Sequence, residues 1–119
     1  MIIKGYSNVL GEHGVNSHGG IGGYFVRILM TDEFESPMKY MRELVLESGS
    51  SIGIHPHDGD EEVYFIIDGK GLMIVDNEER EVITGDAVLT KSGSCHGLKN
   101  IGEQSLRIFV VCAAIKANL

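Results

Sequence analysis

Short runs of β-branched, aromatic and aliphatic residues recur along this chain, each broken within a few positions by Gly, Ser, Asn or Asp, and they leave no room for a long helix. YFVRIL, YMRELVL, VYFII, GLMIV, REVI, DAVLT and SLRIFVV are runs of this kind. Branched and aromatic side chains suit a pleated, half-buried surface, so each run reads as a strand. Turn-forming clusters fall between them, at Ser48 to Ser51, Asp58 to Asp60, Asp68 to Gly71, Asp76 to Glu79, Thr84 to Asp86, Ser92 to Ser94 and Asn100 to Gln104. Many short strands at this spacing specify an all-β sandwich or small barrel. With 119 residues, 43% of them apolar, the chain can build one compact core and is too short for two ordinary domains.

The N-terminal third reads differently. LGEHGVNSHGGIGG holds six glycines together with His13 and His18 and has little apolar periodicity. Residues 1–39 are therefore expected to form a short N-terminal strand and a glycine-rich loop or lid packed on a barrel made by residues 40–119. The stretch DEFESPMKY is expected to form a helical turn before Tyr40, kept short by Pro37.

Charge and composition narrow the partners. A net charge of -7 and a pI near 5.1 provide no basic stripe for phosphates, which argues against nucleic acid and anionic membranes and for a small-molecule partner. MIIKGYSNVL lacks the apolar run and cleavage site of a signal peptide, and no stretch approaches the roughly 20 apolar residues of a membrane span, so a cytoplasmic location is expected. Cys95 and Cys112 show no metal-type spacing and read as reduced thiols.

The reactive side chains are concentrated between Gly49 and Asn100. Strand alternation turns His55 and His57 the same way, while Pro56 points oppositely and donates no ladder hydrogen bond. After the DGD turn, alternation places Glu62, Tyr64 and Ile66 on one face and Glu61, Val63, Phe65 and Ile67 on the other, so only one of the paired glutamates can join the histidines. His96 opens a later strand after the SGS turn, where a bend can aim it into the same pocket. Imidazoles with one carboxylate suit a divalent transition metal ion, Mn, Fe, Co, Ni, Cu or Zn, better than Mg or Ca. Tyr64, on the face of Glu62, is the candidate catalytic hydrogen-bond donor or proton shuttle. Arg42, which shares a face with Tyr40, is the candidate substrate-binding residue for a carboxylate. Cys95 should face away from His96 as a small buried residue, and Asn100 should order the turn after its strand. His13 and His18 are close enough in sequence to the glycines to reach over the pocket but are not expected to be ligands.

Gly49, His55, His57, Glu62 and Gly69 follow the spacing of the first motif of the cupins: Gly, five residues, His, one residue, His, four residues, Glu, six residues, Gly. Gly85, Gly93, His96 and Asn100 follow the second motif, with Lys91 where a proline is usual. The chain thus resembles a small single-domain cupin over about Tyr40 to Ala113. The resemblance selects Glu62 over Glu61 and implies a double-stranded β-helix, a jelly-roll barrel of six to eight or more strands, with His55, His57, Glu62 and His96 around one ion inside its mouth. It also implies a homodimer through strand exchange or sheet packing, for which the outward row Val63, Phe65 and Ile67 is available. The function implied is a metal-dependent dioxygenase, or an isomerase or lyase of a carbonyl or sugar compound. The alternative is a non-catalytic module that binds or senses a sugar or small acid. A metal-free sugar epimerase is disfavoured because all four ligands are present.

Overall fold

In the computed structural model, which describes residues 1–115, ten antiparallel strands form two facing sheets. They are β1 Gly11–Val15, β2 Gly23–Met30, β3 Met38–Leu46, β4 Ser51–Pro56, β5 Asp60–Asp68, β6 Lys70–Val75, β7 Glu78–Ile83, β8 Ala87–Thr90, β9 Cys95–Asn100 and β10 Leu106–Ala114. One sheet has the order β1-β2-β3-β10-β5-β8 and the other β4-β9-β6-β7. This is the jelly-roll barrel that the strand pattern and the resemblance imply.

Alternation within the strands builds the core. Tyr64 and Ile66 of β5, Leu106, Ile108 and Val110 of β10, and Leu44 and Leu46 of β3 point inward from the larger sheet. They meet Ile52, Met73, Val82 and Leu98 of the smaller one. Side chains such as Ile66, Leu98 and Ile108 are fully removed from water, each stabilising the barrel by about 1.5–3 kcal/mol. Glu61, Val63, Phe65 and Ile67 of β5 face outward, as alternation requires.

The N-terminal region departs from expectation. Met1 to Gly5 form no strand; a 3-10 turn follows at Tyr6–Asn8. The glycine-rich stretch is not all loop, because Gly11–Val15 pairs with β2 as an edge strand. A Cβ on Gly11 or Gly14 would overlap the rings of Phe25 or Tyr24, so these glycines make room for aromatic neighbours rather than for flexibility. The segment before β3 makes a turn, with Phe34 N–H bonded to Thr31 O at 3.3 Å, and forms no helix. Three acidic residues and Pro37 within eight positions give that segment little helical drive.

A carboxylate fastens the N-terminus to the sheet. Glu43 lies on the opposite face of β3 from Arg42 and Leu44, yet it is buried. Arg107 donates to it at 2.6 Å, the Tyr6 hydroxyl at 2.6 Å and Arg27 at 3.4 Å, while the Arg27 guanidinium lies between the rings of Tyr6 and Phe25. Burial alone would raise the Glu43 pKa, but the bonds from Tyr6 and Arg107 outweigh it and hold the carboxyl below the usual range.

Candidate metal centre

His55, His57, Glu62 and His96 converge at one end of the barrel, between the sheets. His55 and His96 are directly opposite each other on β4 and β9. A bulge between Ile52 and His55 adjusts the register so that both imidazoles turn inward. His57 lies one residue past β4, but its backbone continues the pairing, with its N–H bonded to Ser94 O at 2.9 Å and its carbonyl accepting from Gly93 N–H at 2.7 Å. Glu62 enters from β5 on the opposite sheet.

The far side of each of these four side chains is anchored. The Nδ1 of His55 faces Gly53 O at 2.8 Å, that of His57 faces an Asp60 carboxylate oxygen at 2.7 Å, and that of His96 faces Thr90 Oγ1 at 2.7 Å. A carbonyl and a carboxylate only accept, so His55 and His57 carry their protons on Nδ1 and turn the Nε2 lone pairs inward. Burial pushes the His55 imidazole down to about 4, which keeps it neutral and available as a ligand near neutral pH. Tyr40 donates its hydroxyl to Glu62 Oε2. Burial alone would raise the Glu62 pKa; the contacts with His96 and Tyr40 win, and the carboxylate stays ionised.

What remains at the centre is a set of acceptors with too few protons. The Nε2 of His96 lies 3.0 Å from that of His57, 3.1 Å from that of His55 and 3.2 Å from Glu62 Oε1. Glu62 Oε1 is also 3.2 Å from His57 Nε2, is buried, and has no hydrogen-bond donor. One proton on His96 Nε2 can serve only one of three acceptors, and a buried acceptor left unmet costs about 1–3 kcal/mol. A cation satisfies all four atoms together. Ligand atoms about 2.1 Å from an ion and at right angles to one another lie about 3.0 Å apart, close to the spacings observed. The donor set therefore fits a transition metal.

His57, Asp60 and Cys112 also approach one another, but the set is a poor second site. Asp60 already accepts from Lys39 at 2.7 Å, and burial pushes the Cys112 thiol up to about 11, whereas the thiolate is the metal-binding form.

A pocket of about 420 Å³ opens over the cluster, lined by His18, Tyr40, Arg42, His55, Asp58 and Glu62 among others. Arg42 thus faces the pocket, stacked on the Tyr40 ring at 4.3 Å and 3.9 Å from Glu62 Oε2, and its buried Nε has no partner. Tyr64 is almost wholly buried, with its hydroxyl 3.4 Å from His96 Nε2, and it is not among the residues lining the pocket. Burial, reinforced by the Glu62 charge, raises its phenol well above the ordinary value. Cys95 is half-buried rather than buried. Asn100 orders its turn, as expected, donating to Leu46 O, Glu47 O and Gln104 O and accepting from Gly102 N–H.

Three contributors escaped the sequence reading of this site: Tyr40 as the partner of Glu62, Asp60 and Thr90; of the two histidines read as able to reach over the pocket, only His18 does so. His13 packs on Phe25 on the edge strand. His18, by contrast, stacks on His55.

The protein-family model described as the cupin domain matches residues 42–112. Over 112 residues the chain is 29% identical to an oxalate-binding protein of Thermotoga maritima, covering 93% of this chain and 92% of that one. An uncharacterised protein of Methanocaldococcus jannaschii is 32% identical over 87 residues, 73% of this chain and 70% of its own. Among solved structures, a predicted oxalate decarboxylase from Thermotoga maritima superposes with a TM-score of 0.90 at 28% identity, covering 97% of this chain and all of that one. An RmlC-like cupin from Shewanella frigidimarina shares the fold at 13% identity, with a TM-score of 0.72 over 95% of this chain and 90% of its own. Among the described residues no helix is long and apolar enough to cross a membrane.

Proposed function

The chain belongs to the cupin family, and from that premise we propose that His55, His57, Glu62 and His96 hold one divalent transition metal ion with which the protein binds and turns over a small carboxylate such as oxalate. The observation that carries the reading is the buried, donorless Oε1 of Glu62, 3.2 Å from the Nε2 of both His57 and His96, with His96 Nε2 3.0 and 3.1 Å from those of His57 and His55, at the floor of an open pocket. The ion would supply Lewis-acid or redox activation of a bound oxygen-bearing molecule. Arg42, on the pocket wall with its guanidinium 3.9 Å from Glu62 Oε2, offers positive charge to a bound carboxylate. Tyr40 holds its proton against Glu62 and so keeps that carboxylate oriented. Tyr64 holds a second proton beside His96 from the core side and serves as a fixed donor to the cluster. The names of the Thermotoga relatives, oxalate-binding protein and predicted oxalate decarboxylase, support the ligand class.

The test begins with elemental analysis of protein purified without nickel resin or chelator. About one equivalent of metal per chain, lost in His96→Ala, is expected. Oxalate should then bind the metal-loaded protein, and Arg42→Gln should weaken it about ten-fold or more without altering metal content, as loss of a hydrogen bond to a charged group implies. Unchanged metal content in His96→Ala removes the centre.

A non-catalytic module is the second reading. Two of the three carboxylates lining the pocket, Asp60 and Glu62, are already engaged, which leaves Asp58 as the one free acid-base group of that kind among the described residues. Oxalate binding without conversion to formate or carbon dioxide would select it. A homodimer through the outer face carrying Val63, Phe65 and Ile67 belongs to either reading, and light scattering of the eluted protein tests it.

A further inference from the structure

Residues 16–22 form a strap across the mouth of the barrel, and its backbone is shaped to deliver one side chain. His18 has φ 49° and ψ 39°, a left-handed conformation that costs a non-glycine residue energy and that clusters at functional positions. The strap is tied at both ends. Asn16 N–H bonds to Gly22 O at 2.9 Å, Ser51 N–H to Ile21 O at 2.8 Å, and Ile21 N–H to Ser51 Oγ at 3.1 Å. Between these ties the strap lies backbone against backbone on β4. A Cβ on Gly53 would overlap His18 O and come within 2.7 Å of Gly20 N, so the approach requires glycine there.

The delivered ring lies parallel to His55, with centroids 3.7 Å apart and planes 11° apart. Stacking occupies the ring face and leaves both nitrogens at its edge, and neither has a hydrogen-bond partner among the described residues. Arg42 lines the same pocket and brings its guanidinium charge to that wall. The free ring edge of His18 and the positive charge of Arg42 thus border the open side of the four-residue cluster. With a cation held by the cluster, the complementary molecule has oxygens at both ends, one end for the ion and one for the wall.

We propose that His18 is a ligand-recognition residue: its ring edge donates to the outer oxygen of a small dicarboxylate whose other end lies over the donor cluster, and its fixed position limits how long that molecule can be. This rests on the carboxylate reading above and adds a residue that lies outside both cupin motifs.

Cobalt(II) is a suitable probe, because its visible spectrum responds when an added ligand reaches the ion. Wild type, His18→Ala and His18→Phe are loaded with cobalt and titrated with oxalate, malonate and succinate. All three proteins should hold the same cobalt and melt alike, since His18 is exposed and is no metal ligand. Oxalate should bind about ten-fold or more weakly to both variants, because both lose the N–H. The preference for oxalate over succinate should fall about ten-fold in His18→Ala and persist in His18→Phe, whose ring still fills the mouth. Variants that bind oxalate within two-fold of wild type overturn the role of His18 alone. Loss of cobalt from His18→Phe, where the stack is kept, overturns it in favour of metal ligation. A wild-type cobalt protein that binds none of the three acids overturns the carboxylate reading and this proposal with it.

Discussion

Replacing Glu62 by Gln tests the central physical claim, that four acceptors face one another and need a cation. Without metal, Oε1 of the wild type is buried with no donor, at a cost of about 1–3 kcal/mol. A Gln amide placed at Oε1 donates two N–H groups toward His57 Nε2 and His96 Nε2, both 3.2 Å away. Against this, the Tyr40 bond to Glu62 loses its charge assistance, which returns part of the gain. The net expectation is a metal-free variant about 1 kcal/mol more stable than metal-free wild type. For 119 residues the unfolding entropy is about 250 cal/mol/K, so the Tm should rise by about 4 °C.

Metal reverses the order. At a metal concentration 1,000 times its Kd, the wild type gains about 4 kcal/mol, or about 16 °C. If loss of the carboxylate weakens binding by about 100-fold, the Glu62→Gln protein at the same concentration gains about 1.4 kcal/mol, or about 6 °C. Calorimetry or circular dichroism melts of chelator-stripped protein, with and without manganese, read both effects; the chain has no tryptophan to follow. A metal-free Glu62→Gln protein that melts several degrees below wild type refutes the reasoning, because an imidazolium must then already satisfy the carboxylate. An undiminished metal shift would place the ion elsewhere.

Thr90→Val removes the oxygen 2.7 Å from His96 Nδ1 at nearly constant shape, and should weaken metal binding about 10- to 100-fold, measured by competition with a chromophoric chelator, while all four ligands remain. Gly53→Ala drives a Cβ into the strap backbone, which cannot yield as a side chain tip would; a cost of about 1–3 kcal/mol, or about 4–12 °C in Tm, is expected, with loss of the ring-current shift that His18 imposes on the His55 imidazole protons. Glu43 has a folded pKa below its ordinary 4.5, so its contribution is complete above the unfolded pKa and is lost as pH falls through the folded one. Acid unfolding of the wild type below about pH 4.5 should therefore be steeper than that of Glu43→Gln, and equal slopes would remove the carboxylate latch.

The convergence of His55, His57, Glu62 and His96 was legible because strand geometry translates spacing into direction and the motif spacing supplies the rest. Two histidines at i and i+2 share a face; alternation separates Glu61 from Glu62, the motif resemblance selects Glu62, and β5 turns it inward with Tyr64. The motif glycines are equally readable: Gly49, Gly69, Gly85 and Gly93 all take positive φ at turns that set where the following strand begins. What was not legible depends on the register between strands distant in sequence. Tyr40 and Glu62 are both opposite Cys112, on either side of β10, and Thr90 is opposite Glu62 on β8. No local pattern specifies those pairings. The glycine-rich stretch is a loop at residues 16–22 but a strand at Gly11–Val15, because glycine there permits contact rather than freedom: rings lie over Gly11 and Gly14, as the strap backbone lies on Gly53 of β4.

That difference bears on how the site acquires its properties. The two motifs supply donor atoms, but donors on strand ends would swing through a range of rotamers if nothing held their far sides. Gly53 O, Asp60, Thr90 and Tyr40 each fix one of the four side chains, and they arrive from four separate stretches of chain. Bonds of that kind keep neighbouring donor atoms 3.0–3.2 Å apart, the spacing that a shared ion requires. Metal affinity in this barrel should accordingly follow the integrity of the surrounding hydrogen bonds as closely as the identity of the ligands, and the Thr90→Val and Glu62→Gln measurements separate those two contributions.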